Sequence, residues 1–299
     1  MQTIIQTLQQ NGLHIVENEP LSRHTSFRIG GSVRGMVFPK NEEELIQAVT
    51  LLQETGIAPL LIGNGSNLLA SDDPIDRIAI KLHDGVSHME RLDGNAIYAS
   101  AGSLLSRVAV FARDQGLSGL EFAHGIPGTL GGAIFMNAGA YGGEMAHVIT
   151  RVYYLDNKLT RQTIENPECN FSYRHSCFMD TKELILSAEI TLTSNNPAEI
   201  GARMTELAEK RRNSQPLEYP SGGSTFKRPK EGYAAAMIDE AGLKGYTVGG
   251  AQVSEKHAGF VVNRGGATCA DVLRLMEHVQ ETVFARTGVL LEPEVELIS

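Results

Sequence analysis

Tryptophan is absent from this 299-residue chain, aromatic residues make up 6% of it, and there are three cysteines, Cys169, Cys177 and Cys269. An odd set without Cys-x-x-Cys spacing indicates neither a disulfide framework nor a thiolate zinc site, and plain reduced thiols are expected. No apolar run approaches the roughly 18 residues of a spanning helix. The first lysine or arginine is Arg23, so the basic n-region of a secretory signal is missing. Positive charge is short as well: 26 Lys and Arg face 35 Asp and Glu, and the net charge of -9 repels nucleic acid and anionic lipid. Internal repeats, low-complexity tracts and His, Asp or Glu clusters at metal-ligand spacing are all lacking. The expectation is a soluble, cytoplasmic protein that binds no nucleic acid, no membrane and no metal.

What is present is a hydrophobic fraction of 42%, enough for a sizeable core, in a length that suggests about two domains. Glycine is abundant, at 31 residues, nine of them between Gly116 and Gly143. Such density implies backbone in special conformations or lying close to something.

Asn41 followed by Glu42, Glu43 and Glu44 reads as a helix start, with Leu45, Ala48, Val49 and Leu52 at helical spacing and Gly56 beyond the end. A buried strand, Pro59 to Ile62, then leads into Gly63-Asn64-Gly65-Ser66-Asn67. Further strands are expected over Ile97 to Ala101, Val148 to Leu155 and Leu184 to Thr193. Ser103 is expected to cap a helix that stops near Gly116. Pro197 suits a first helical position, and helices are expected near Ala234 to Glu240 and Cys269 to Arg286. Turn formers place a domain boundary between Asn195 and Pro220. The last strand is expected over Val289 to Ile298, with Glu292, Glu294 and Glu296 on one face.

Two glycine loops stand out. In Gly63 to Asn67, successive backbone N–H groups can form an anion site without side-chain charge, although a tight turn alone also explains the glycines. Leu68 occupies the place of the third glycine of a dinucleotide fingerprint and no helical pattern follows, which disfavours a Rossmann site. In Gly125-Ile126-Pro127-Gly128-Thr129-Leu130-Gly131-Gly132, Pro127 fixes the turn and Thr129 could cap a helix. Gly131 and Gly132 cost that helix about 1 kcal/mol each relative to alanine. A flat or bulky group against the backbone, or close helix packing, would account for them. No P-loop sequence occurs.

With Arg23-His24-Thr25-Ser26-Phe27-Arg28-Ile29-Gly30-Gly31, Met136 to Gly142 and Ser221-Gly222-Gly223-Ser224-Thr225-Phe226 added, these motifs resemble the UDP-N-acetylenolpyruvoylglucosamine reductase family, over nearly the whole chain. The resemblance implies an α+β fold: an FAD-binding domain of the vanillyl-alcohol oxidase (PCMH) type in two subdomains, 1–80 and 81–200, and an α+β substrate-binding domain, 201–299. The last strand would be free to return to the flavin domain. It implies non-covalent FAD, since Gly65-Ser66-Asn67 stands where some relatives attach flavin through His or Cys. FAD would be held by Thr25, Ile62 to Asn67, Gly125, Ile126, Pro127, Gly128, Thr129, Gly131, Gly132 and Ala138.

The implied activity is that of a UDP-N-acetylmuramate dehydrogenase, a flavoprotein of peptidoglycan synthesis and so of cell-wall biogenesis, cell shape and cell division. NADPH would reduce FAD, and the flavin would reduce an enolpyruvyl UDP-sugar in the same cleft. Arg174, Ser224 and Glu294 map onto the family's catalytic set. Hydride delivery to the vinyl terminus leaves an enolate whose charge builds on a carboxylate. Arg174 offers a permanently charged fork to that carboxylate, Glu294 supports the enolate, and Ser224 gives the proton to C2. Lys210, Arg211 and Arg212 are candidates to favour the resulting alkoxide.

Arg212 aligns with a family position that meets the sugar-nucleotide phosphates, though an ordinary basic helix end explains it equally well. His257, Tyr141 and Arg228 are the other candidate substrate contacts. Only 50 positions separate Arg174 from Ser224, so the chain resembles the shorter type without the inserted tyrosine loop. That leaves Tyr141, Tyr153 and Tyr173 as candidates to close the pocket. A flavin-dependent alcohol or sugar oxidase and a non-catalytic flavin or sugar-nucleotide sensor are the competing readings.

Overall fold

A computed structural model describes residues 2–82 and 86–299. The chain divides into two compact units: Met1–Glu17, Gly35–Asn64 and Arg77–Lys210 form the first, and Asn18–Arg34, Gly65–Asp76 and Arg211–Ser299 the second. The change at residue 210 falls within the interval marked by Asn195 and Pro220. The early segments 18–34 and 65–76 group with the C-terminal part rather than with their sequence neighbours. The cause is tertiary: Leu68–Ala70 pairs in parallel with Glu296–Ile298, and Phe27, Ile29 and Leu69 enter the same core as Val272, Leu275 and Val279.

In the first unit, Asn41 Oδ1 accepts the Glu44 N–H at 2.8 Å and opens the helix Glu42–Glu54, which buries Leu45, Ala48 and Leu52. Its apolar side joins Ile4, Ile5 and Leu8 of the helix Gln2–Gln10 and Ile78 and Ile80 of the strand Ile75–Lys81 in one core. That strand runs parallel to Leu60–Ile62, whose last residue lies opposite Lys81. A five-stranded antiparallel sheet follows, in the order Arg161–Glu165, Ile149–Leu155, Leu184–Thr191, Ala96–Ser100, Met89–Arg91. Ile97, Ala99, Val152 and Ile190 share a core with Val108 of the helix Leu105–Asp114 and Ile134 of Leu130–Phe135. Burying each large side chain there stabilises by about 1.5–3 kcal/mol.

Ser103 does not cap the helix. The N-cap is Leu104, the Leu105 N–H donates to the Gly128 carbonyl at 2.9 Å, and the buried Ser103 hydroxyl meets that of Ser87 at 3.0 Å. The glycine loop's backbone takes over the capping role.

In the second unit, a three-stranded antiparallel sheet, Thr247–Val248, Ala251–Val253 and Val261–Asn263, accompanies the helices Ala234–Glu240 and Cys269–Thr287. Thr268 and Asp271 form a capping box on the longer helix. Asp72 adds a second cap, accepting from Cys269 N at 2.7 Å and Ala270 N at 3.1 Å. The expected strand from Val289 shortens to Glu296–Ile298. Pro293 cannot donate to a ladder and makes only an isolated bridge with Phe226, so Glu292 and Glu294 lie before the strand and the three carboxylates do not form one strand face.

The three thiols are free, and burial pushes Cys169 up to about 12 and Cys269 up to about 11. No helix among the described residues is long and apolar enough to cross a membrane, and none of their His, Cys, Asp and Glu residues cluster as metal ligands.

Candidate active site

The first half of the glycine loop belongs to the first unit. Ile62 is fully buried and its carbonyl accepts from Leu82 N at 2.8 Å. A Cβ on Gly63 would overlap the hydroxyl of Thr129, so the protein's own packing requires glycine there. Asn64 donates through Nδ2 to the Pro127 carbonyl at 2.7 Å, and Lys81 Nζ donates to the Gly63 carbonyl at 2.6 Å. Two loops distant in sequence are thereby held together.

The second glycine loop packs on the segment after the strand Ala96–Ser100. Ile126 N donates to the Ala123 carbonyl at 3.0 Å and Gly131 N to the Ala101 carbonyl at 2.9 Å, while a Cβ on Gly131 would sit 2.8 Å from that of Ala101. Close packing therefore explains Gly131. Gly132 differs: it is exposed, and a Cβ there would meet nothing nearer than 3.6 Å. Thr129 stands at the N-cap of Leu130–Phe135 but makes no capping hydrogen bond, contrary to expectation, because its side chain is turned against Gly63. Ala138 is buried, its N–H bonded to the Ala133 carbonyl at 2.8 Å. Exposed backbone at Gly132 and the neutral amides and hydroxyl around Asn64 and Thr129 fit a flat, anionic group such as FAD.

The rest of the first loop belongs to the second unit. Gly65 has φ +65°, and a Cβ on it would overlap the His24 carbonyl; its own carbonyl accepts from Ser26 N at 3.1 Å. Thr25 is buried with its hydroxyl on the Ile29 carbonyl at 3.0 Å, and Ser26 Oγ donates to the Ser221 carbonyl at 2.6 Å. Ser66 is half-buried, and Asn67 Nδ2 donates to the Glu294 carbonyl at 2.9 Å.

Thr225, which follows Ser224, pairs with the backbone of Glu294. Thr225 is buried, with its N–H on the Gly259 carbonyl at 2.8 Å, its hydroxyl accepting from Val261 N at 2.9 Å, and its carbonyl accepting from Glu294 N at 2.8 Å. Ser224 itself is exposed and Glu294 half-buried. Arg174 belongs to the first unit. A tight turn, Ser172 to His175, presents it with left-handed φ of +55°, a conformation rare outside glycine. Its guanidinium lies 5.0 Å over the Tyr173 ring and donates to the Gly139 carbonyl at 3.4 Å. Tyr141 stands exposed at the two-residue tip of the hairpin that Gly139 begins. Tyr153, by contrast, is occupied within the sheet by Glu189.

Lys256 donates to the Arg212 carbonyl at 2.6 Å, which joins the basic helix end to the His257 segment. His257 is half-buried against Phe260, its Nδ1 accepting from Gly259 N at 3.2 Å; burial holds its pKa below the usual value, favouring the neutral ring. Arg228 is exposed and stacks 4.1 Å over Tyr233. Sequence reasoning missed Lys81, whose place at the end of an apolar strand gives no sign of the loop it meets. It also missed Gln215, whose Oε1 is the buried side-chain polar atom without a hydrogen-bond partner among the described residues.

Residues 33–160 match the profile of an FAD binding domain, and residues 215–298 match the UDP-N-acetylenolpyruvoylglucosamine reductase C-terminal domain. The UDP-N-acetylenolpyruvoylglucosamine reductase of Caldanaerobacter subterraneus subsp. tengcongensis is 46% identical over 281 residues, 94% of this chain and 92% of its own length. That of Agathobacter rectalis is 44% identical over 309 residues, 100% of this chain and 98% of its own. The crystal structure of the reductase from Thermus caldophilus superposes with a TM-score of 0.80 at 32% identity, over 96% of this chain and 99% of that one. Fold and loops together define an FAD-binding oxidoreductase with a PCMH-type domain and a second α+β domain. Within that class, the chain belongs to the UDP-N-acetylenolpyruvoylglucosamine reductase family, whose place is in peptidoglycan synthesis.

Proposed function

We propose that the chain reduces UDP-N-acetylglucosamine enolpyruvate to UDP-N-acetylmuramate with electrons from NADPH. Bound FAD, reduced by NADPH, supplies the hydride for the vinyl terminus of the enol ether. The chain's residues do the rest. Thr25, Ile62 to Asn67, Gly125 to Thr129, Gly131, Gly132 and Ala138 hold the cofactor non-covalently; no His or Cys occurs from Ile62 to Asn67. Arg174 binds the substrate carboxylate bidentately, its fork steadied by the Tyr173 ring and the Gly139 carbonyl. As negative charge builds on that carboxylate, Arg174 meets it and Glu294 supports it. Ser224 transfers its hydroxyl proton to C2, and solvent restores the proton afterwards. Arg212 and Arg228 take the diphosphate, with His257 and Tyr141 against the sugar nucleotide. Residues 1–200 would hold the flavin and lend Arg174 and Tyr141 to the substrate, and 201–299 would supply the other substrate contacts.

The observation that carries this reading is the hydrogen bond from Glu294 N to the Thr225 carbonyl, which brings the carboxylate-bearing segment beside Ser224. Anaerobic mixing tests it: NADPH should bleach the flavin, and the enolpyruvyl substrate should restore its colour. Bleaching that persists after substrate is added refutes the reductase, and absence of bleaching refutes any NADPH-driven role. Acid precipitation should release free yellow cofactor; flavin retained on the protein refutes non-covalent binding.

A further inference from the structure

Lys81 is 9% exposed, and its ammonium makes one hydrogen bond among the described residues, to the Gly63 carbonyl at 2.6 Å. An ammonium carries three donors, and a buried one is costly unless an opposite charge accompanies it. No carboxylate pairs with Lys81 among the described residues, and burial alone lowers its pKa, to about 8. The residues packed about Gly63 and Asn64, namely Pro127 and Thr129, are neutral. Among the described residues, then, the ammonium at the root of this loop has no countercharge, and the loop itself offers neutral donors.

We propose that Lys81 is the counter-ion of the diphosphate of FAD, an anchoring residue that acts on the cofactor's charge rather than on its ring. This rests on the flavin reading above and adds to it a cation at the glycine-loop site. Bracing of Gly63 is the competing explanation, and it makes a different prediction, because a brace positions the loop for any flavin.

The experiment uses stripped protein titrated with FAD and, separately, with riboflavin, which has the same ring and no phosphate, followed by flavin fluorescence. Lys81→Met, close to lysine in shape and uncharged, should weaken FAD binding about ten- to hundredfold, the range for hydrogen bonds to charged groups, and leave riboflavin binding unchanged. Raising salt should weaken FAD binding to the wild type and have less effect on the variant. Relief of the buried charge offsets loss of the bond to the Gly63 carbonyl, so the variant's thermal midpoint without cofactor should stay close to that of the wild type, while the FAD-induced rise shrinks. Lys81→Gln provides the same comparison with a polar side chain. Equal losses for FAD and riboflavin would establish a brace and overturn the proposal, as would unaltered FAD binding in both variants. A wild type that binds no FAD would overturn the flavin reading and this inference with it.

Discussion

The side-chain amide of Asn67 donates to the backbone carbonyl of Glu294 at 2.9 Å, across 227 positions of sequence. Glu296 N returns a hydrogen bond to the Asn67 carbonyl at 2.9 Å. A residue of the glycine loop therefore fixes the backbone that carries the carboxylate. Asn67→Ala should cost about 1 kcal/mol of stability and slow reoxidation by substrate more than reduction by NADPH. Stopped-flow traces of the two half-reactions check this; equal slowing would confine Asn67 to cofactor binding.

Ser224 offers a cleaner separation of steps. Ser224→Ala should leave NADPH-driven bleaching intact and slow product formation about 10² to 10⁴-fold, the usual contribution of positioned proton transfer. Ser224→Cys should recover part of the loss. Product formed at the wild-type rate by the alanine variant would remove Ser224 from the proton path.

The glycines divide into those the fold needs and those it does not. Gly63→Ala and Gly65→Ala meet Thr129 and the His24 carbonyl, so both should lower the thermal midpoint without cofactor. Gly132→Ala, on a helix and with only an ordinary 3.6 Å contact to Thr129, should raise apo stability by about 1 kcal/mol and weaken FAD binding. Calorimetry of stripped protein with FAD titrations tests the contrast; a destabilised Gly132→Ala apo protein would contradict it.

Lys81 makes apo stability depend on pH. Its folded pKa is depressed from 10.5 to about 8, so between these values the unfolded chain holds more protons and stability rises with pH. Below pH 8 both states are protonated and the burial penalty is complete. The gain across the window is about 3 kcal/mol. Urea melts at pH 7.5 and 10 should show it in the wild type, relative to Lys81→Met; identical pH responses would refute it.

The helix Glu42–Glu54 was legible because cap, period and breaker agree locally, and the strands at Leu60–Ile62 and Leu184–Thr191 because their runs are apolar and β-branched. Local signals failed where tertiary partners intervene. Ser103 has the chemistry of a cap, yet Gly128 supplies the helix start instead. The tail alternates acidic and apolar residues like a strand, but Pro293 interrupts the ladder. The glycine loops and Ser224, Arg174 and Glu294 could be named from motifs. What no motif conveys is that the loop splits between two units at Asn64 and Gly65, or that Lys81 rises beneath it, since both follow from long-range packing.

Among the described residues, Leu68–Ala70 pairs with Glu296–Ile298 alone. During synthesis, then, that segment leaves the ribosome more than two hundred residues ahead of its mate, with an open β-edge that nothing local can cover. Closure of the second unit must wait for residues 296–298 to be translated, which makes this stretch a point where a chaperone can engage the nascent chain and where a premature stop leaves an aggregation-prone product.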